Sequence, residues 1–273
     1  MNILDFQKKK LAREKITVVT CYDYTSARIA ADTDIDVLLV GDSLAMTMHG
    51  FKTMLPATIE MMVLHTAAVA RGAPDKFILG DMPFLSFRKS LNKNVEAAGS
   101  LIQAGANAIK LEGAHGNLKL ITHLVNSGIP VMGHLGLTPQ SINNFGGFKV
   151  QAKTEEAAQR LQADALSLQD AGCFALLLEG IPTHVAQTVT TALDIPTIGI
   201  GAGHYTDGQV LVWQDLLGLN LDFKPKFVKQ FINGAELFKI GINDYIHEVK
   251  QTTFPNYEHS YTSPSLANVA TTA

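Results

Sequence analysis

The chain alternates eight times between a short apolar run and a longer segment with helical periodicity. Most of the runs are continuously apolar, rich in leucine or β-branched residues, and end in glycine or a polar residue. Such runs are typical of parallel strands that are buried on both faces. The runs that predict strands are Ile16–Asp23, Val37–Ser43, Phe77–Pro83, Ala108–Gly113, Val131–Leu137, Ala175–Pro182, Pro196–Gly203 and, less distinctly, Val210–Leu216.

The segments between the runs predict helices, because their apolar residues fall on one face. Several of them end in a glycine directly before the next strand, which is a common helix end. An extra helix is predicted over residues 3–14. The two clearest apolar stripes are Ile59, Met62, Val63, Thr66 and Val69, and then Ala158, Leu161, Ala165 and Leu168.

The C-terminal part of the chain predicts one or two helices over residues 225–251, followed by a flexible tail over residues 262–273. The tail consists largely of small polar residues and alanine, with few residues that could anchor it. The positions predicted to be buried in the helical part are Phe227, Phe231, Phe238, Ile242, Tyr245 and Val249.

Eight strand–helix units in a chain of 273 residues predict one fold, a single-domain (β/α)₈ barrel over residues 1–261. An open, doubly wound sheet is the alternative. That fold usually carries a glycine-rich turn after its first strand, whereas Cys21–Thr25 contains no glycine. Apolar residues make up 47% of the chain and charged residues 17%, which favours a large buried core over disorder.

Charge and cysteine content argue against several classes of protein. The net charge is −3 without a basic block, so we expect neither a nucleic-acid nor a membrane partner. No apolar run approaches the roughly 18 residues of a membrane span, and the first residues do not resemble a signal peptide. Cys21 and Cys173 form neither a disulfide framework nor a zinc motif. These features predict a cytoplasmic protein.

Ionisable residues lie at the ends of five successive predicted strands. In a (β/α)₈ barrel, the carboxyl ends of the strands carry the chemistry. Charged groups are rarely buried without a partner, so a ring of them needs a counter-ion or a function. The residues are Asp42, Asp81, Lys110 with Glu112, His134 and Glu179.

Three carboxylates in this ring predict a metal site. Asp42, Asp81 and Glu112 come from adjacent strands roughly 5 Å apart, so we expect them to converge. Without a cation they would repel one another and raise one another's pKa values. Mg²⁺ suits such an all-oxygen set, whereas zinc would be expected to have cysteine or paired histidine ligands. The alternative is that some of these residues cap the following helices.

The other members of the ring allow two interpretations each. Lys110 shares a strand face with Glu112, where it neutralises a carboxylate, binds the carboxylate of a substrate, or does both. Glu179 closes an apolar strand, so its carboxylate is poorly solvated, as suits a general base, unless a lysine or a helix dipole is its partner. His134 is either a core residue or a residue that orients substrate. Gly199–Gly203 either binds phosphate or allows close packing.

Longer stretches of the chain match one known family. The matches run from about residue 3 to about residue 260, and the stretches 133–141 and 145–151 are long enough to be highly specific. The matching stretches are Thr20–Asp23, Val40–Leu44, Leu55–Thr58, His65–Val69, Asp81–Phe84, Ala104–Ala106, Lys110–Gly113, Gly133–Ser141, Phe145–Gln151, Ile198–Gly203 and Asp207–Gln209.

In these stretches the chain resembles the ketopantoate hydroxymethyltransferase family. The resemblance implies a Mg²⁺-dependent barrel that transfers a one-carbon unit from 5,10-methylenetetrahydrofolate to 3-methyl-2-oxobutanoate, giving 2-dehydropantoate for pantothenate and coenzyme A synthesis. It also implies a homo-oligomer, typically a decamer. The site residues that it implies are Asp42, Asp81 and Glu112 as metal ligands, Asp42, Ser43, Asp81 and Lys110 around the 2-oxo acid, and Glu179 as proton acceptor.

In the mechanism that follows, His134 is a further candidate for the substrate site. The metal polarises the carbonyl group, and Glu179 removes the adjacent proton to leave an enolate that attacks the one-carbon donor. Two other readings stay open. One is a metal-dependent 2-oxo acid C–C lyase of the isocitrate-lyase or phosphoenolpyruvate-mutase type, although the nucleophilic cysteine loop of the lyases is not recognisable here. The other is a catalytically silent barrel, against which the intact ring of charges argues.

Overall fold

Eight parallel strands close into a barrel in chain order in the computed structural model, which describes residues 1–222 and 224–261. The first and last strands pair from Ile16 with Gly208 to Val19 with Leu211, and this pairing closes the sheet. The predicted (β/α)₈ barrel is therefore confirmed. The strands β1–β8 are Ile16–Thr20, Val37–Val40, Phe77–Asp81, Ala108–Glu112, Val131–Gly136, Ala175–Glu179, Thr197–Ile200 and Gly208–Leu211.

Helices connect the strands around the outside of the barrel. Threonine hydroxyls cap two long ones: Thr58 accepts from the Met61 amide and Thr154 from the Ala157 amide. The helices α1–α11 are Ile3–Ala12, Tyr24–Ala31, Leu44–Thr47, Ile59–Gly72, Leu91–Gln103, Leu118–Asn126, Ile142–Phe145, Glu155–Asp170, Thr183–Ala192, Trp213–Leu216 and Gly234–Lys250, and Pro139–Ser141 and Tyr257–His259 form 3₁₀ turns.

The predicted helical stripes face the barrel. On α4, Met62, Thr66 and Val69 are buried, and on α8 Leu161 and Leu168 are among the buried residues. These side chains pack against strand residues of the outer layer, such as those of the wholly buried β2 and β4. Continuous burial along a strand is the expected result when helices cover one face and the barrel interior fills the other.

An aromatic plug closes the N-terminal end of the barrel. Helix α1 places Phe6 there with no exposed surface, and its ring lies 5.1 Å from that of Phe77 and 5.0 Å from that of Phe174. Lys10 of the same helix pairs with Asp207 at 2.9 Å, which holds α1 against the β7–β8 connection. With this end closed, the polar residues of the interior gather at the opposite, carboxyl end.

The structure corrects two predictions near the C-terminus. The last strand is Gly208–Leu211, and residues 213–216 are helical, because the apolar run 210–216 continues from the strand into α10. The prediction that six apolar residues over 225–251 are buried is wrong for the single chain. The exposed fractions are 43% for Phe227, 64% for Phe231, 64% for Phe238, 59% for Ile242, 58% for Tyr245 and 42% for Val249.

The exposure of these residues has a structural cause. Only one helix forms in this region, Gly234–Lys250, and its one buried residue is Gly234. Beyond Gly234, the helix therefore leaves its apolar side chains largely uncovered in the single chain. None of the helices in the described part of the chain combines the length and apolar character that a bilayer crossing requires. The tail predicted over residues 262–273 lies outside the described residues.

Candidate active site

Strand register brings the predicted site residues together inside the carboxyl end of the barrel. Asp81 on β3 lies opposite Lys110 on β4, and Glu112 on β4 lies opposite His134 on β5. All four residues are buried, with exposed fractions of 2–5%. Because Lys110 and Glu112 are two residues apart on one strand, both point into the barrel, as the sequence predicted.

Asp42 joins this group from the end of β2. Its backbone amide donates to the Asp81 carboxylate at 3.1 Å, which brings the two acidic residues into direct contact. Gly41 permits the tight turn, because a Cβ atom there would lie 2.7 Å from the Ser43 hydroxyl. Burial, followed by the charges of Asp81 and Glu112, raises the pKa of Asp42 well above its usual range.

Lys110 is the cation that partly balances these carboxylates. Its Nζ lies 3.0 Å from Asp81 Oδ1. Burial opposes the charged form, but the carboxylates of Asp81, Glu112 and Asp42 outweigh it and raise the pKa of Lys110. Burial also raises the pKa of Asp81, although Lys110 acts against this shift. Among the described residues, Asp81 Oδ1 has no well-directed hydrogen bond, so this buried oxygen keeps capacity for a ligand.

His134 lies between the acidic group and Glu179. Its Nδ1 is 3.5 Å from Glu112 Oε1 and 3.4 Å from Lys110 Nζ, and its Nε2 is 3.3 Å from Glu179 Oε2. Burial and the charge of Lys110 lower the pKa of His134, but interactions with Glu112 and Glu179 dominate and raise it. His134 is therefore neither an isolated core histidine nor a surface group.

Glu179 is the least buried acidic side chain of the ring. Its side chain is 19% exposed, compared with 4% for Asp81 and 5% for Glu112. The strand that precedes it, from Ala175, is wholly buried up to this residue. Glu179 thus lies at the rim, where the apolar barrel wall meets the open end of the site.

Gln140 is a site residue that the sequence analysis missed. Its side-chain amide donates to Asp42 Oδ2 at 2.8 Å and to the Met82 carbonyl at 2.9 Å. Its backbone amide donates to Glu112 Oε2 at 3.1 Å. One residue in the 3₁₀ turn after β5 therefore holds two of the three predicted metal ligands. Its place in the highly specific stretch 133–141 was the signal that could have marked it.

Ser43 lies beside Asp42 and contacts a tyrosine from the first strand–helix connection. The hydroxyl oxygens of Ser43 and Tyr22 are 2.8 Å apart. Tyr22 is almost wholly buried, and this burial raises its pKa to about 12, so it stays a neutral hydrogen-bonding group. Ser43 is thus held in place at the edge of the acidic group, where the resemblance expected a substrate contact.

Comparison with known proteins decides the family. A sequence profile described as ketopantoate hydroxymethyltransferase matches residues 1–257. The chain belongs to the ketopantoate hydroxymethyltransferase family. A 3-methyl-2-oxobutanoate hydroxymethyltransferase of Francisella tularensis subsp. novicida is 57% identical over 260 residues, covering 95% of this chain and 98% of the relative. One of Bdellovibrio bacteriovorus is 56% identical over 259 residues, with the same coverage. The chain is accordingly an enzyme of this transferase family, as the sequence predicted.

Solved structures of low sequence identity share the fold of this ketopantoate hydroxymethyltransferase family member. Phosphoenolpyruvate phosphomutase from Streptomyces platensis subsp. rosaceus has a TM-score of 0.60 at 10% identity, over 98% of this chain and 94% of that chain. Phosphonopyruvate hydrolase, in complex with oxalate and Mg²⁺, has a TM-score of 0.60 at 9% identity, over 97% and 93%. At such identities, the likeness concerns the fold alone.

The donor chemistry of the hydroxymethyltransferase site fits a hard divalent cation. Asp42, Asp81 and Glu112 are buried oxygen donors, and the first two have pKa values raised by burial, which a cation would counteract. Lys110 and Gln140 contact these carboxylates in the structure. Within residues 1–222 and 224–261, no three acidic, histidine or cysteine side chains are gathered closely enough to hold an ion. The ligand set from the sequence therefore stays a prediction.

The glycine-rich segment after β7 is closely packed. A Cβ atom would lie 2.7 Å from the Thr206 hydroxyl at Gly199, 2.9 Å from the Phe227 ring at Gly201 and 2.4 Å from Thr183 at Gly203. These glycines allow the chain to pass its neighbours, which is sufficient to explain their presence. Of the two interpretations of this segment, close packing is the one that the contacts support.

Proposed function

We propose that this enzyme transfers a hydroxymethyl unit from 5,10-methylenetetrahydrofolate to 3-methyl-2-oxobutanoate and forms 2-dehydropantoate, for pantothenate and coenzyme A synthesis. The observation that carries this proposal is the arrangement of Lys110, His134 and Glu179 in one line of contacts beside buried carboxylates. It offers a cation for an acid substrate and a proton acceptor at the rim.

Lys110 is the residue that we propose to bind the substrate carboxylate. It is held charged by Asp81 and the other carboxylates, and it is buried in the barrel interior. A 2-oxo acid has its carboxylate and keto oxygens on adjacent carbons, so both can face this polar group at once. Asp42, Ser43, Asp81 and His134 surround the same region and complete the proposed substrate site.

Asp42, Asp81 and Glu112 would hold the Mg²⁺ ion that the family resemblance implies. When bound, the ion supplies a Lewis acid that polarises the keto group and makes the neighbouring C–H bond more acidic. Gln140 supports two of these ligands through its hydrogen bonds to Asp42 and Glu112. Such supporting contacts orient metal ligands and affect metal affinity.

Glu179 is the proposed general base. It takes the proton from C3 of the 2-oxo acid, and the electron pair of the broken C–H bond stays on the substrate as an enolate. Water cleaves both C–N bonds of the folate methylene bridge: its oxygen stays on the carbon as formaldehyde, its two protons go to N5 and N10, and tetrahydrofolate leaves. The nucleophilic C3 then forms a bond to the formaldehyde carbon, and the new alkoxide takes the proton back from Glu179. His134, in contact with Glu179, keeps that carboxylate oriented toward the substrate region.

Turnover with both substrates tests this proposal. The expected result is formation of 2-dehydropantoate from 3-methyl-2-oxobutanoate, dependent on methylenetetrahydrofolate. The second candidate, a 2-oxo acid C–C lyase, is kept because lyases and mutases share this barrel. Folate-independent cleavage of a substituted malate would support the lyase instead. Absence of both reactions in folded, metal-supplemented protein would leave the silent barrel.

The exposed face of α11 supports the proposed homo-oligomer. Phe238, Ile242, Tyr245 and Val249 recur at helical spacing and are 42–64% exposed. A contiguous apolar face of this kind is unusual on a monomer and typical of an interface. We propose that a second copy of the chain covers it, within the decamer that the resemblance implies. Light scattering should show an oligomer, and Phe238→Glu with Ile242→Glu should reduce its mass.

A cytoplasmic location is part of the same proposal. Both cysteines are free and buried, and burial raises the pKa of Cys21 and of Cys173 to about 12. Thiols of this kind stay protonated and unreactive. Their state agrees with a protein that works in a reducing compartment.

A further inference from the structure

A cleft opens beside the acidic group on the side of Glu112. It is an open cleft with an enclosed volume of about 80 Å³, and the segment after β3 and the turn after β5 form its walls. Glu112 and Gln140 contribute to both this cleft and the buried site, so the two spaces share a boundary. The other lining residues are Phe84, Leu85, Phe87, Arg88 and Ser141. The proposed binding of the 2-oxo acid uses none of these five.

Two large apolar residues are presented to solvent at this cleft. Phe84 is 40% exposed and Leu85 is 49% exposed. Leu85 has a φ of 60°, a left-handed conformation that is unfavourable for a residue with a branched side chain. Hydrogen bonds from Ser86 to Pro83 and from Arg88 to Leu85 hold this turn. Backbone strain that the surroundings maintain is characteristic of ligand-binding segments.

Arg88 adds a positive charge to the same wall. Its guanidinium donates to the His115 carbonyl at 2.8 Å and lies 5.4 Å from the centroid of the Phe87 ring. Over the described residues, no carboxylate lies within ion-pair distance of it. An exposed guanidinium that is fixed at one edge still has donors for a planar anion, which it can bind through two parallel hydrogen bonds.

We propose that this cleft binds the folate co-substrate, with a planar ring of the folate against Phe84 and its glutamyl carboxylate on Arg88. The inference rests on the proposed function, since it concerns the second substrate of the same reaction. A folate combines flat aromatic rings with a carboxylate tail, and the cleft combines exposed apolar side chains with a guanidinium that has no carboxylate partner in the described part of the chain. Because Glu112 and Gln140 line both the cleft and the buried site, the methylene group of a folate bound in the cleft lies next to the space for the 2-oxo acid.

The smaller substrate does not explain these features. A five-carbon 2-oxo acid has no ring to cover Phe84, and its single carboxylate has Lys110 as a buried partner inside the barrel. Arg88 therefore serves an anion that enters from outside. A carboxylate at the end of a longer, ring-containing molecule meets that requirement while its other end faces the site.

Direct binding of tetrahydrofolate tests the cleft without requiring turnover. Calorimetry under anaerobic conditions would compare the wild-type enzyme with Arg88→Met, Phe84→Leu and the control Arg160→Met. Arg160 is a solvent-exposed arginine on α8 that pairs with Glu156, away from the cleft. We expect Arg88→Met to weaken tetrahydrofolate binding about 10-fold or more through loss of a charge pair. Phe84→Leu should weaken it about 3- to 10-fold through loss of ring contacts. The control should match wild type.

A second ligand separates the tail from the ring. 6-Methyltetrahydropterin keeps the reduced pterin ring and carries no carboxylate, so Arg88→Met should bind it as the wild type does. Equal weakening for both ligands, or wild-type binding of tetrahydrofolate by Arg88→Met, would overturn the assignment of Arg88. Wild-type binding by Phe84→Leu would overturn the ring contact. If the wild-type enzyme binds tetrahydrofolate through these residues but forms no 2-dehydropantoate, the proposed function fails and the assignment of the cleft stands.

Discussion

Replacement of Glu179 by glutamine isolates the proposed proton transfer from every other step. The amide keeps the size and shape of the carboxylate side chain and removes its basicity. Asp42, Asp81, Glu112 and Lys110 are unchanged, so Mg²⁺ and the 2-oxo acid should bind nearly as tightly as they do to wild type. Deprotonation can be followed without folate, as exchange of the C3 proton of 3-methyl-2-oxobutanoate for deuterium from solvent.

The structure sets the expected size of the effect. Removal of one positioned general base reduces a rate by about 10²–10⁴-fold. Each factor of ten corresponds to about 1.4 kcal/mol of activation free energy, so the expected loss is about 3–5.5 kcal/mol. His134 Nε2 lies 3.3 Å from the replaced carboxylate. Loss of that negative charge removes one of the interactions that raise the pKa of His134, and its imidazole remains nearby as a weak substitute base. We therefore expect the lower half of the range, about 10²–10³-fold.

Exchange and overall turnover should fall together in Glu179→Gln, as measured by NMR and by product formation. Glu112→Gln is the matched comparison, because it makes the same chemical change in a proposed metal ligand. That variant should lose Mg²⁺ affinity as well as exchange, whereas Glu179→Gln should keep Mg²⁺ affinity. Exchange at the wild-type rate in Glu179→Gln would refute the assignment of Glu179 as the base. His134 would then be the next candidate base, and its replacement would be the next test.

Four further predictions concern the buried group. Chelator-treated enzyme should lose activity and regain it with Mg²⁺; full activity without metal would exclude the proposed ligands. The pKa of Asp42 is raised in the folded, metal-free protein, so the free energy of unfolding should fall as the pH rises from about 4, the usual pKa of an aspartate, through the raised pKa. Mg²⁺ binds the ionised carboxylate, so it should raise Tm more at pH 8 than at pH 5. Lys110→Ala should weaken 2-oxo acid binding by about 2–5 kcal/mol in calorimetry with Mg²⁺ present; unchanged affinity would make Lys110 purely structural. Gln140→Met should lower Mg²⁺ affinity about 10–100-fold, and unchanged affinity would contradict its supporting role.

The barrel and the start of most strands could be predicted because the determining signal is local, whereas the predicted runs extend past the observed strand ends. Each strand is a short apolar run, and each ring residue follows its run directly, so parallel register alone brings Asp81 beside Lys110 and Glu112 beside His134. The eighth strand was misplaced because its apolar run continues into α10, where local pattern does not separate strand from helix.

Gln140 could not be predicted in the same way because its role depends on a contact across the barrel. It lies 98 residues from Asp42 in sequence, on a turn whose direction is fixed only by the folded barrel. A glutamine also has no charge to mark it as out of place in an apolar context. The exposed apolar residues of α11 show a related limit, since periodicity identifies a face to be covered but not which chain covers it.

Charge balance connects the buried group with the rim. Asp42, Asp81 and Glu112, when ionised, bring three negative charges into a region where Lys110 supplies one fixed positive charge. A divalent cation would balance the remaining two, so an anionic 2-oxo acid would enter a nearly neutral site. Glu179 lies outside this balance, with its side chain 19% exposed. Of the four acidic residues, it is therefore the one that can gain a proton without disturbing the cation, which is what a base in this site must do.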